Sequence, residues 1–589
     1  AHRCLVKPDI HFCASIELAC IAQFPSQFLT VVQAGVDTDQ FHEIDNRSPP
    51  VQVFTFGHGR QIAFDVHFGN FRGSCLMRLC AGTGGRDDIP GTRLRGCGLR
   101  LAKDSVLDFS ENAHEILKKI EQKEVSAQEV LQSFLKQIEE VNPSINAVVA
   151  LDAERALEKA KEADKKTTSN SKLGSLHGLP MTVKDAFEVE GIVSTGGNPA
   201  WRDNIPKRNA EAVQRLVDAG AIIFGKTNVP FLSSDLQSFN EIYGTTNNPW
   251  DLERTPGGSS GGSAAALASG MTPMELGSDI GGSIRVPAHF CGLFGHKPSY
   301  NIISEVGHMP PPPGSISTGN GLSVAGPLAR SPEDLEIALD TLVAAQEQDS
   351  SAWKIKLPKA RTKKVKEMKI AVWPDEPYAE VDVEITTLIK ETADDLQHAG
   401  AHVETVNLPV SFKEIDKIYS LLLNPLMLAG SPKETFETLA KLNEGLDPND
   451  MSELAKVARG SVLKYADWVV VNAMRQHMRQ KWREFFNKYD VILCPTSITP
   501  AFKHNHNPVH ERKLTINGKD DEYLRATLWA GPAVSAGLPS TNVPIGMSSE
   551  NLPIGMQITG PYLEDKTCIE VAKIVKDLRG GFKIPPSLQ

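Results

Sequence analysis

The stretch from Arg254 to Pro298 constrains this chain more than any other. It opens as Arg-Thr-Pro-Gly-Gly-Ser-Ser-Gly-Gly-Ser and continues through a run of small residues. It then reads Gly-Ser-Asp-Ile-Gly-Gly-Ser-Ile-Arg-Val-Pro-Ala-His-Phe-Cys-Gly. Glycine has no Cβ, so turns dense in it accept unusual φ values and leave their amide N–H groups unshielded. A reaction that develops negative charge on oxygen needs such donors. One glycine-rich turn would be an ordinary loop of a large α/β protein; two, each presenting a serine, Ser259 and Ser283, 24 residues apart, point to chemistry.

The second turn falls where a strand beginning at Met274 gives way to a segment starting at Ile284. If that segment opens as a helix, Pro287 lies in its first turn, where a missing N–H costs little. The N–H groups of Ile280, Gly281, Gly282 and Ser283 then face one point near the positive end of a helix dipole. Donors fixed in that way form an oxyanion hole, with Ser283 beside it as nucleophile. Gly257 and Gly258 shape the first turn. Asp279 and Arg285 flank the second and are expected to hold its backbone by hydrogen bonds.

Upstream, Gly-Leu-Pro-Met-Thr-Val-Lys-Asp ends a short strand at Lys184. Burying an ammonium is costly, and a buried lysine answers by lowering its pKa, which makes it a usable base. These residues together resemble the amidase signature family: a glycine-serine block, then Asp-Ile-Gly-Gly-Ser-Ile-Arg, with a lysine upstream. The resemblance runs from about Ser105 to the C-terminus and takes in Asp490-Val-Ile-Leu-Cys-Pro-Thr and Leu552-Pro-Ile-Gly-Met-Gln-Ile-Thr-Gly-Pro561. It implies an α/β fold with a central mixed β-sheet covered by helices on both faces. It also implies a catalytic lysine at Lys184, a bridging cis-serine at Ser259 and a nucleophilic serine at Ser283, with no metal or organic cofactor.

The activity implied is hydrolysis of a carboxylic amide through an acyl-enzyme, on a small, aryl or fatty-acyl amide. Likeness to fatty-acid amide hydrolases is carried by Asn247-Asn-Pro-Trp-Asp-Leu-Glu-Arg-Thr-Pro256 and Pro287-Ala-His-Phe-Cys-Gly292. The alternative is the glutaminase subunit of a tRNA-dependent amidotransferase, which shares the catalytic residues and works with partner subunits. A docking module that has lost its nucleophile is disfavoured, because all three residues are intact. Oligomeric state is open, a homodimer included.

Composition narrows the class. At 41% hydrophobic and 23% charged the chain is an ordinary globular one, and its net charge of −10 argues against general nucleic-acid binding. No apolar run is long enough to span a bilayer, and no secretory signal is evident, so a cytoplasmic protein is expected. Residues 1–104 differ from the rest. Up to position 102 they hold one lysine, Lys7, against nine arginines, and six of the nine cysteines lie there. No Cys-x-x-Cys and no zinc spacing occurs among them. This segment is expected to be non-native or disordered and no evolved part of the enzyme, with a small accessory domain as the alternative; the catalytic domain is expected over 105–589.

Periodic signals then alternate, as an α/β layered core requires. Ser126-Ala-Gln-Glu129 is a capping box, followed by Val130, Leu131, Phe134, Leu135 and Ile138 on one face, with Asn142-Pro143 as the stop. Helix is expected at 210–219 and 383–399, strand at 221–224, 368–373 and 402–406. The apolar run Tyr419–Leu428 reads first as buried helix and second as the lining of a hydrophobic acyl pocket or an entrance cap, and Met309-Pro-Pro-Pro-Pro-Gly as a stiff loop at the rim of the site. Three tempting signals are declined. Gly220-Ala-Ile-Ile-Phe-Gly-Lys-Thr227 fits a phosphate-binding loop by letters, but its interior is strand-like and Pro230 soon interrupts. His504, His506 and His510 read as an exposed loop. His289 and His296 read as packing residues.

Overall fold

A computed structural model describes residues 51–56, 60–65, 78–79, 107–169, 172–316 and 319–588. The chain divides into two compact units, one built around Glu17–Cys97 and the other holding Gly98–Gln589. Of the first, three antiparallel strands are described, Val51–Phe56, Arg60–Asp65 and Arg78–Leu79. Apart from these strands, the expectations for residues 1–104 lie outside the described residues.

The larger unit is organised by one eleven-stranded mixed sheet and fourteen α-helices among the described residues. From edge to edge the strands run His402–Thr405, Lys369–Val372, Val491–Pro495, Pro553–Thr559, Ser540–Met547 and Phe294–Lys297. The order continues with Val324–Ala329, Met274–Asp279, Pro180–Lys184, Ile222–Thr227 and Val148–Leu151. The central strands are buried along their whole length, as expected of a sheet covered on both faces.

One pairing positions the site. Pro180–Lys184 and Met274–Asp279 are parallel neighbours, with Thr182 opposite Glu275 and Val183 opposite Leu276. Parallel pairing brings two C-terminal ends to the same edge of the sheet, where α/β proteins place their sites. Lys184 and the residues leading into the second glycine turn therefore emerge side by side.

Local rules account for most boundaries. Ser126 and Glu129 form the capping box that starts the helix Ala127–Ile145. The helix continues past the expected stop: Pro143 lies inside it, and it ends one turn on at Asn146, whose φ is 56°. Asn142 does terminate the segment, but through its side chain, which accepts from the N–H groups of Ala147 and Val148 and donates to the Val148 carbonyl. Glu211–Asp218 and Val383–His398 are helices, and Ile222–Thr227, Lys369–Val372 and His402–Thr405 strands, as their periodicity predicts. The less regular region after 410 is three helices, Phe412–Met427, Lys433–Glu444 and Glu453–Ser461. No helix among the described residues is long and apolar enough to cross a membrane.

Candidate active site

The first glycine turn feeds Ser259 and Ser260 into the helix Gly261–Ala268, every residue of which is buried. Its sequence, Gly-Gly-Ser-Ala-Ala-Ala-Leu-Ala, is small because its surroundings leave no room. A methyl group placed on Gly262 would sit 2.3 Å from the Asn228 nitrogen, and one on Gly258 would sit 2.4 Å from the Asp235 carbonyl oxygen. The peptide bond Gly258–Ser259 is cis. The Ser260 N–H donates to the carbonyl of Ser283 at 3.2 Å, which ties the two serine turns together.

Lys184 is fully buried. Its Nζ lies 2.7 Å from Ser259 Oγ and 2.9 Å from Ser278 Oγ. Burial drives its pKa down from the ordinary lysine value to about 7, against the opposing pull of Asp279. A lysine so placed is substantially neutral near pH 7, as a proton acceptor must be. If it is the base, kcat/KM should rise with pH through an apparent pKa of about 7 and level off above it. Below that point the rate should fall about tenfold per pH unit. A pH–rate profile with no acid limb near neutrality would count against this assignment.

The second turn is held from behind. Asp279 accepts from the N–H of Gly282 at 3.0 Å, from that of Ile284 at 3.1 Å, and from Arg285 Nε and a terminal nitrogen at 3.0 and 2.8 Å. Burial alone would raise its pKa, but Arg285 and these donors keep its carboxyl below the usual range. Arg285 reaches on to Gln557 Oε1 at 2.7 Å. Asp279 and Arg285 thus bond to each other, and Asp279 to the backbone of this turn.

The same contacts correct one expectation. Gly282 donates its N–H to Asp279, so of the four N–H groups expected to line an oxyanion hole this one is already occupied. Its φ of +94°, open to glycine alone at little cost, reverses the chain so that Asp279 can reach it. The N–H groups of Ile280, Gly281 and Ser283 have no partner among the described residues, unlike that of Gly282. Pro287 lies in the first turn of the short helix Arg285–Cys291, as anticipated.

Four neighbours went unread in the sequence. Ser278 touches Lys184, and His308 Nε2 lies 2.9 Å from Ser278 Oγ. Glu275 is buried beside Thr182 and Thr227, and burial pushes its carboxyl up to about 8, so it is mostly neutral at pH 7. Tyr419, on the helix Phe412–Met427, donates its hydroxyl to the Ile280 carbonyl at 2.8 Å. In a trans peptide the C=O of one residue points opposite to the N–H of the next. Tyr419 therefore aims the Gly281 N–H. Tyr419→Phe should lower kcat about tenfold, near the worth of one hydrogen bond, with KM little changed. Loss confined to KM would place Tyr419 in substrate contact instead.

The declined signals fall elsewhere. Ile222–Thr227 is a strand, and Lys226 is buried, 3.3 Å from Asp185 and bonded to the Phe187 carbonyl. His289 is bonded to the backbone of Gly555 and Thr499, and His296 to Thr541 and Asp565. His506 and His510 are exposed, while His504 is half-buried. The described residues contain no group of three or more side chains suited to hold a metal.

A family model described as Amidase matches residues 129–569. The glutamyl-tRNA(Gln) amidotransferase A subunit of Natranaerobius thermophilus is 30% identical over 499 residues, covering 80% of this chain and 96% of that protein. Among solved structures, a bacterial aryl acylamidase of the amidase signature enzymes superposes with a TM-score of 0.66 at 26% identity, covering 80% of this chain and 96% of that one. The amidotransferase A subunit of Thermotoga maritima gives a TM-score of 0.64 at 27% identity, with 81% and 98% covered.

Proposed function

This chain belongs to the amidase signature family and is an amidase-type enzyme acting on amide C–N bonds, and on that premise we propose that it works through an acyl-enzyme on Ser283. The observation that carries the reading is the buried Lys184 Nζ 2.7 Å from Ser259 Oγ. Neutral Lys184 takes a proton from Ser259, which takes one from Ser283, whose Oγ attacks the amide carbonyl. The N–H groups of Ile280, Gly281 and Ser283 receive the developing oxyanion. The proton returns along the same path to the leaving nitrogen as the C–N bond breaks, releasing amine and leaving the acyl ester on Ser283. Water, deprotonated through the same relay, then attacks the ester, and the acid departs as Ser283 regains its proton. The catalytic unit is placed within 105–589.

For the substrate, the sequence comparison supports the glutaminase reading over the free-standing amidase: the similarity to an amidotransferase A subunit reaches 30% identity and covers 96% of that protein. On that reading the chain releases ammonia from glutamine for partner subunits. That reading conflicts with the expectation of no nucleic-acid partner, since the assembly it implies acts on a tRNA. The second reading rests on the fold, which matches a bacterial aryl acylamidase as well as it matches an A subunit.

The test is turnover of glutamine and of a graded series of acyl anilides by the purified chain, with affinity capture of partners in parallel. Glutamine turnover with a stoichiometric partner supports the subunit reading. Anilide turnover by the isolated chain, with glutamine inert, supports the free-standing one. Inertness of every amide, with and without a captured partner, would sink the amidase reading itself.

A further inference from the structure

Neutral lysine carries two N–H donors and a single lone pair. To act as base, Lys184 must keep that lone pair for Ser259, yet Ser278 Oγ lies at almost the same distance, 2.9 Å against 2.7 Å. A hydroxyl both donates and accepts. Were Ser278 to donate to Lys184, it would occupy the lone pair and Ser259 would have no proton acceptor. Something must turn the Ser278 proton away.

His308 stands where that proton would go. Its Nε2 is 2.9 Å from Ser278 Oγ, and its Nδ1 faces the Pro310 carbonyl at 3.4 Å. A carbonyl only accepts, so Nδ1 carries the ring hydrogen and Nε2 is left as an acceptor. The loop that bears it is fastened beside the strand of Lys184: the Met309 N–H donates to the Ala186 carbonyl at 2.7 Å, and the Glu188 N–H to that of Gly307 at 2.9 Å. The imidazole also meets the Phe187 ring edge-on at 4.9 Å. The ring is neutral: burial lowers its pKa to about 3.

We propose that His308 is a positioning residue that takes the Ser278 hydroxyl proton, so that Ser278 only accepts from Lys184 and the lysine lone pair stays directed at Ser259. The inference rests on the reading of Lys184 as base. It gives the loop before the proline run a function that its sequence, read as a rim, did not suggest.

His308→Phe keeps the ring against Phe187 and removes the acceptor, while His308→Gln offers an amide oxygen in its place. The first should lower kcat for an amide about tenfold with KM unchanged, and the second should recover most of that loss. The deciding measurement is the cycle with Ser278→Ala. Once the competing hydroxyl is gone, His308→Phe should cost less than about twofold more. An equal cost in both backgrounds would make His308 a packing residue and overturn the proposal. A second readout needs neither turnover nor the phenylalanine variant. The imidazole ¹⁵N shifts of the labelled wild-type protein, assigned by the signal that His308→Gln removes, should show Nδ1 protonated and Nε2 bare. The opposite tautomer would overturn the proposal even with the amidase reading intact. Wild-type inertness toward amides would fail that reading and leave the tautomer to decide.

Discussion

Ser283→Ala should abolish amide turnover, lowering kcat by on the order of 10⁴-fold or more while the protein stays folded. Covalent catalysis admits no partial substitute: without Oγ there is no acyl-enzyme, and the remaining donors only polarise a carbonyl that water attacks slowly. The fold should tolerate the change. Ser283 is 7% exposed and the substitution deletes a single oxygen, whereas the turn is held by Asp279 through Gly282 and Ile284, not by the Ser283 side chain. Exposure to a fluorophosphonate, followed by intact-mass and peptide mapping, checks the assignment independently of substrate. One adduct on Ser283, absent from the variant, is expected. An adduct on Ser259 would move the nucleophile one turn upstream, and near-wild-type turnover by Ser283→Ala would remove Ser283 from the chemistry.

The parts of this site legible in the sequence are those that depend on backbone needs. Gly258 and Gly262 must be glycine because neighbouring main chain fills the space of a Cβ, and such demands print themselves in the sequence as clusters of small residues. Lys184 was legible because its neighbours, Pro180 to Val183, read as a buried strand, and a lysine closing such a strand needs a reason. What stayed hidden depends on contacts between distant segments. Tyr419 lies 139 residues from the Ile280 carbonyl it holds, in a helix whose apolar periodicity looks like any core helix. Glu275 gives no sign of neutrality until Thr182, Thr227 and the surrounding burial are in place. The Gly282 N–H was counted with its three neighbours for a related reason. Spacing shows which N–H groups line a turn, but not that Asp279 consumes the one on Gly282.

Lys184→Ala should separate two halves of the mechanism. On the proposed mechanism the lysine has two tasks, accepting a proton as Ser283 attacks and returning it to the leaving group. An amide requires both, since an amide anion is a very poor leaving group and the nitrogen must be protonated as the C–N bond breaks. An activated aryl ester requires little of the second, because its phenolate departs unaided. Loss of the base should therefore cost amides about 10³- to 10⁴-fold and activated esters about 10²-fold or less, the range spanned by general acid–base catalysis. The ratio of the two rates is more informative than either, because misfolding or a displaced Ser259 would depress both together. Lys184 is buried with its Nζ bonded to Ser259 and Ser278, so alanine leaves a cavity beside both hydroxyls. Ser283 labelling by the fluorophosphonate should persist in the variant at a reduced rate if the serine turns survive that cavity. Equal loss on amide and ester, with labelling intact, would mean that Lys184 does not return the proton, and a different group would have to protonate the leaving nitrogen.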